Sequence, residues 1–327
     1  MKKKYFLGPL IGALFLYLTL RQIDFGNCWF YIRQAKLLWI VVAVVVYSFA
    51  FYLRSFRWKF LMSPLKDVPR NRLFSFLIMG FFMNNLLPLR LGEIVRAHIT
   101  GQKTGVSRSS VLATVVVERL FDGLSYVVLF FLTILVLPFP AWTKKSMGAG
   151  SVLFIGVLVI LYLFSRNRQK AVGLFGALPM PVAIRARVNA IFSNFLNGLG
   201  SLGHGPSLAK VFLLSLAVWT IEATVFYLMG LSFGMKLSVF QGMLVMIVIG
   251  MGAILPTAPG YVGTVEFLGT TSLVFIGINK NLAFGYIVTL HVLQLLTITF
   301  WGIRSLMAEK ITLSELIRIE KKGLPTF

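Results

Sequence analysis

The sequence predicts an all-α, polytopic helical membrane protein with about six full spans plus two re-entrant helical hairpins, and three observations carry that prediction. Of 327 residues, 57% are hydrophobic, 30 are Phe and 10 are acidic, and the mean hydropathy is +0.85, well above the apolar share of a soluble domain. Apolar runs alternate with short basic loops, as the positive-inside rule expects of a multi-pass chain. Two of the apolar runs are interrupted by a Pro and a Gly, "NNLLPLRLGE" at 84–93 and "GAILPTAPGY" at 252–261, and such a pair breaks a helix that tries to cross.

Tyr5 to Leu20 is the first apolar run. It follows Lys2, Lys3 and Lys4 and lacks a small-x-small cleavage site, so it reads as a retained helix with its start on the cytoplasmic side. Asp24 to Lys36, with Trp29, Phe30, Tyr31 and Arg33, suits an interfacial linker. Leu37 to Phe60 is the second span. The stretch from Arg54 to Arg72 holds six basic residues against the one acid Asp67, and reads as a cytoplasmic loop. The first hairpin, 73–104, has an apolar limb, the break, and a return limb too short and polar to span ~30 Å of hydrocarbon at about 1.5 Å per residue.

Ser109 to Leu137 spans next. Ser151 to Phe164 returns, and 166–207 is a cytoplasmic loop whose apolar spacing of three and four residues predicts an amphipathic helix on the membrane. Leu208 to Met229 crosses outward, the second hairpin occupies 240–277, and Leu282 to Leu306 is the last span before a basic cytoplasmic tail, 307–327. The expected organisation is therefore one membrane domain over 1–327. Its first half is 37–137 and its second half 208–306. Both termini are expected in the cytoplasm of a cell membrane protein. Pro88 aligns with Pro256 and Gly92 with Gly260, and with the first hairpin expected to enter from the cytoplasm and the second from outside, the halves read as an inverted repeat, the arrangement in which paired interrupted segments meet near the midplane.

Charges inside such a chain are functional candidates, because they persist mainly where they face a protein interior or a water-filled cavity. Glu118 and Asp122 share a helix face with Arg119 beside them, about 14 Å into their span. Arg90, Glu93 and Arg96 of the first hairpin should reach the same depth, giving three cations against three anions. Two roles fit this set: an ionic clasp that pins the hairpin, or a site in which Arg90 and Arg119 fork onto an anionic head group. Asn84 and Asn85 either donate to that head group or cap the broken limb. Around Gly260 and Gly263, freed backbone N–H groups suit a phosphate, while Glu266 suits the first turn of the following helix. Glu222 has no basic neighbour in sequence and is the proton-coupling candidate.

Cys28 is the single cysteine, and His98, His204 and His291 are scattered, each read as a polar side chain paired locally, so no cofactor or metal is expected. The net charge of +22 sits in loops without a reading motif, which argues against nucleic acid. A membrane lipid is the expected substrate. An intramembrane head-group enzyme using Glu93, Glu118 or Asp122 is the second class, disfavoured by the interleaved arginines. A non-catalytic partner of a separate lipid synthase or glycosyltransferase is the third.

The three motifs "NNLLPLRLGEIVRA", "VVVERLFDGL" and "LPTAPGYVGTVE", in this order, resemble the flippase-like integral membrane family that includes the transmembrane region of lysylphosphatidylglycerol synthases. Pro88, Arg90, Gly92, Glu93 and Arg96 match its first pattern. Glu118, Arg119 and Asp122 match its second, and Pro259, Gly260, Gly263 and Glu266 its third. The resemblance implies lipid translocation between leaflets, with aminoacylated phospholipid, hopanoid or polyprenyl-linked substrates. Unlike the synthases, the sequence has no soluble acyltransferase-like stretch after its last span, so a separate enzyme is expected to make such a lipid.

Overall fold

A computed structural model describes residues 4–87, 91–137, 205–252 and 258–316, with isolated positions within 156–167. The described chain is helical throughout: α1 (Lys4–Leu20), α2 (Phe25–Gln34), α3 (Leu37–Met62), α4 (Arg70–Leu86), α5 (Gly92–Thr104), α6 (Arg108–Val136), α7 (Gly205–Ser232), α8 (Val239–Gly252), α9 (Thr264–Phe275) and α10 (Lys280–Glu309), with a 3-10 turn at Pro259–Tyr261. Apart from those isolated positions, the expected loops and span across 138–204 lie outside the described residues, as do Pro88, Arg90 and Pro256.

Among the described residues, four helical stretches are long and apolar enough to cross a membrane: Leu37–Met62, Arg108–Val136, Leu208–Ser232 and Lys280–Glu309, of 26, 29, 25 and 30 residues. The protein is a polytopic helical membrane protein. Its helix ends follow local chemistry. Ser107 caps α6 by accepting the Ser110 N–H, Asn279 caps α10 through Asn281 and Leu282, and Asp24 caps α2 through Asn27.

Both predicted breaks are helix-break-helix hairpins. In the first, α4 and α5 pack so closely that a Cβ at Gly92 would stand 2.0 Å from the Gly80 carbonyl oxygen. No side chain fits there. In the second, Gly263 has φ +86 and faces α1, where a Cβ would lie 1.9 Å from the Gly12 carbonyl oxygen. Phe15 of α1 stacks on Phe267 of α9 at 4.7 Å, so the first helix is fixed to the second hairpin.

Hydrogen bonds between element ends give each hairpin a face. Lys66 Nζ donates to the Thr104 carbonyl at 2.7 Å and Lys103 Nζ to the Glu309 carbonyl at 3.2 Å. Arg72 pairs with Glu309 at 3.2 Å. The base of the first hairpin therefore lies with the C-terminal ends of α3 and α10. At the other end, the Lys36 N–H donates to the Ser232 carbonyl at 2.8 Å and the Asp24 N–H to Asn281 Oδ1 at 3.0 Å. There α8 leaves from the end of α7, and α9 leads into the start of α10. The two hairpins enter from opposite faces, as the basic-loop topology predicts, and they approach each other where a Cβ on Gly260 would sit 3.6 Å from the Asn85 carbonyl oxygen.

Candidate functional site

The ionic cluster of α5 and α6 is present and larger than expected. Arg96 grips Glu118 with both guanidinium arms, Nη1 to Oε1 at 3.1 Å and Nη2 to Oε2 at 2.9 Å, and its plane lies 3.6 Å over the Trp58 ring. Arg119 reaches Glu93 at 3.3 Å, Glu118 at 2.9 Å and Asp122 at 3.3 Å. Glu93, Arg96, Glu118, Arg119 and Asp122 are thus brought together as the spacing predicts.

Two further arginines enter from α3. Arg57 pairs with Asp122 and lies 3.4 Å from Glu118, with none of its side chain exposed, and Arg54 pairs with Glu222 of α7. Trp219 joins the two groups: its Nε1–H donates to Asp122 at 2.9 Å, while the Arg54 guanidinium lies 4.8 Å from its ring centre. The reading of Arg54 and Arg57 as loop charges is therefore corrected, because α3 continues unbroken to Met62 and turns both inward. Glu222 is likewise no isolated carboxylate, since Arg54 supplies its counter-charge.

The cluster balances. Arg54, Arg57, Arg96 and Arg119 face Glu93, Glu118, Asp122 and Glu222, four charges of each sign. Burying such a set is tolerable only when each ion is paired and hydrogen-bonded, and this one nearly is. Buried polar atoms without a hydrogen-bond partner are spread through the cluster, at Arg57 Nε and Nη2, Arg96 Nε, Arg119 Nε and Asp122 Oδ2. Exposure, by contrast, is concentrated at Arg119 and Glu93, which keep 30% and 28% of their side chains accessible. Asn84 takes the capping role, accepting the Gly92 N–H at 2.9 Å, whereas the buried Asn85 amide nitrogen has no partner. Arg119 and Glu93 are thus the most exposed of the eight charged residues, and Asn85 belongs to the same hairpin as Glu93.

At the second break, Glu266 closes a capping box: its Oε2 accepts the Gly263 N–H at 2.6 Å. Its other oxygen meets His291 Nδ1 at 2.6 Å, and His291 Nε2 reaches the Gly260 carbonyl at 2.8 Å. His291, expected to pair locally, instead ties α10 to residues 25 and 31 positions away. Tyr261, at φ 61, stands next to this clamp and within electrostatic range of Arg119, so the second tip borders the ionic cluster.

Away from the cluster, two adjoining cavities of about 500 and 510 Å³ run between α3, α4 and α10. Ser48 and Trp301 line both and are joined by a 3.1 Å hydrogen bond. One cavity is walled by Ile40, Val44, Leu296 and Phe300, and the other ends at Asn71 and Arg304. None of their lining residues belongs to the ionic cluster.

Fold and site together define a polytopic helical membrane protein built on two opposed broken-helix hairpins around a neutral buried charge cluster. The chain belongs to the family described as the lysylphosphatidylglycerol synthase TM region, whose model matches residues 5–302. It is 24% identical over 323 residues to a UPF0104 membrane protein of Methanothermobacter thermautotrophicus, covering 94% of this chain and 96% of that one. A UPF0104 membrane protein of Methanocaldococcus jannaschii is 27% identical over 227 residues, 68% of this chain and 91% of the relative. The glycosyltransferase AglD of Haloferax volcanii is 24% identical over 299 residues, 80% of this chain but 47% of its own length.

Proposed function

We propose that the protein translocates an anionic or aminoacylated phospholipid, or a polyprenyl-linked lipid, between leaflets of the cytoplasmic membrane. The observation that carries the reading is Arg119: the one partly exposed guanidinium of the cluster's four arginines, beside the similarly exposed Glu93 and next to the place where the two opposed hairpins approach. A bare phosphate crossing hydrocarbon loses its hydrogen bonds to water, and preorganised donors offset that loss. Arg119 and the Asn85 amide would hold the head group, with Glu93 displaced from Arg119 as it binds. At the second break the Gly263 N–H, expected to be free for a phosphate, is taken by Glu266, so the head group would rest on Arg119 and Asn85. Lys59, Lys66, Arg70 and Arg72 against Asp67 around the α3–α4 turn, and the basic residues after α10, support a cytoplasmic base for the first hairpin and a cytoplasmic C-terminus.

Purified protein in liposomes carrying fluorescent phosphatidylglycerol or polyprenyl phosphate tests this through quenching of the outer leaflet. Wild type should exchange leaflets faster than empty vesicles. Arg119→Ala should be slower by about ten- to a hundredfold, the value of one charged hydrogen bond of 1.5–3 kcal/mol. Equal rates for empty vesicles, wild type and variant with every anionic lipid would overturn the reading.

The AglD match supports a second one. A protein named as a glycosyltransferase carries this membrane region over 47% of its length, so this chain would serve a sugar-transfer enzyme that works on a membrane lipid. Co-purification of such an enzyme, together with no lipid movement by the chain alone, would favour that role.

A further inference from the structure

Hydrogen-bond geometry at the second hairpin fixes the position of a proton. The Gly260 carbonyl can only accept, so His291 Nε2, 2.8 Å away, carries a hydrogen. In that tautomer a neutral His291 presents a lone pair at Nδ1, 2.6 Å from Glu266 Oε1. Against an ionised carboxylate this contact would be repulsive. A proton therefore lies between the two atoms, either on Nδ1, giving imidazolium and carboxylate, or on Oε1, giving neutral imidazole and carboxylic acid. Glu266 Oε2 accepts the Gly263 N–H at 2.6 Å and is not the protonated oxygen. Both descriptions have the same composition and zero net charge.

The surroundings make this proton consequential. Glu266 and His291 are 7% and 5% exposed. From α1 come Gly12 and Phe15, from α8 Gly252 and Ile249, and from α4 the Asn85 carbonyl, all without ionisable side chains. From α2, also packed on α10, Cys28 faces Gly285. On the turn itself Tyr261 is the titratable neighbour, with Tyr47 of α3 and Arg119 within electrostatic range of it. Gly260 and Tyr261 both hold positive φ, 64 and 61, a conformation that a tyrosine adopts only when its surroundings enforce it.

We propose that Glu266 and His291 form a one-proton binding site that latches the second hairpin tip. With the proton bound, the Gly260 carbonyl, His291, Glu266 and the Gly263 N–H make one closed chain of hydrogen bonds. When one proton leaves to water, the neutral imidazole keeps its N–H at Nδ1 toward the carboxylate, the Nε2 lone pair then faces the Gly260 carbonyl, the chain opens at that link, and the tip beside Arg119 is released. The latch is engaged at low pH and opens as pH rises through the titration of the pair. It goes beyond lipid translocation and stands without it, since a protein that moved no lipid would still carry the site.

Hydrogen exchange of the full chain in nanodiscs, followed over residues 258–266 and corrected for intrinsic base catalysis, tests the latch. In wild type, protection should fall about tenfold or more across a single titration as pH rises. Glu266→Gln should stay protected at every pH, because its amide donates permanently to Nδ1 while its carbonyl still accepts from Gly263. His291→Ala should be unprotected even at low pH. A flat wild-type profile, or a Glu266→Gln profile that follows wild type, would overturn the proposal. Leaflet exchange plays no part in this measurement, so its failure and that of the transport reading are separable.

Discussion

A buried guanidinium that loses its carboxylate keeps its desolvation cost and forfeits the attraction that offsets it. Arg54 tests this cleanly, because Glu222 is its paired carboxylate and its flat faces lie near Phe51, Phe81 and Trp219. Arg54→Met and Glu222→Met should each destabilise the detergent-solubilised protein by about 3–5 kcal/mol, and the double variant by less than either single change. Thermal unfolding of the four proteins measures the coupling, and additive losses would show that the pair is not the unit. The same pair marks where sequence reading stops. Arg54 and Glu222 are 168 positions apart, and Arg57 and Asp122 are 65 apart, so no helical spacing connects them. Counting basic residues for topology cannot separate one that reaches water from one that turns inward. By contrast, Glu118, Arg119 and Asp122 were legible because their partnership is written at spacings of one, three and four on one helix.

At the scale of the element, the hairpins were legible from their Pro and Gly residues, which specify a break without any knowledge of what packs around it. What they pack against was not. Gly92 and Gly263 look alike as loop glycines, yet each is a point where two backbones touch: Gly92 on Gly80 within its own hairpin, Gly263 on Gly12 of α1. Gly92→Ala and Gly263→Ala place a carbon about 2 Å from a carbonyl oxygen that cannot swing aside. Each should cost about 3 kcal/mol, the upper range for overpacking, while Gly105→Ala, with φ +75 and open space around its Cβ position, should cost about 1 kcal/mol. Melting of the purified variants decides it. A Gly92→Ala protein as stable as the Gly105→Ala one would mean that the limbs of the first hairpin can separate.

For the molecule as a whole, the relation of the two hairpins is the strongest joint result of sequence and structure. The topology read from the loops predicts opposed hairpins, and the end-to-end contacts of Lys66, Lys103 and Glu309 on one face, and of Lys36, Asp24 and Asn281 on the other, carry it into geometry. Single cysteines in a Cys28→Ser background test it with an impermeant thiol reagent in sealed vesicles. Lys103→Cys and Glu309→Cys should label from one side, and Gln22→Cys and Lys280→Cys from the other. All four labelling from one side would refute the arrangement.

The neutral cluster also sets a timetable for synthesis. Arg54 and Arg57 emerge from the ribosome long before Asp122 and Glu222, so α3 reaches the membrane carrying two cations without counter-ions. Holding them at the centre of a bilayer would cost roughly 2.5–3.5 kcal/mol each on translocon insertion scales. Both lie in the last third of α3, near its basic flank, where long side chains can snorkel to the interface. The early α3 is therefore expected to sit shallow, and to slide to its final depth only as α6 and then α7 deliver the acids, which makes charge pairing the last step of assembly.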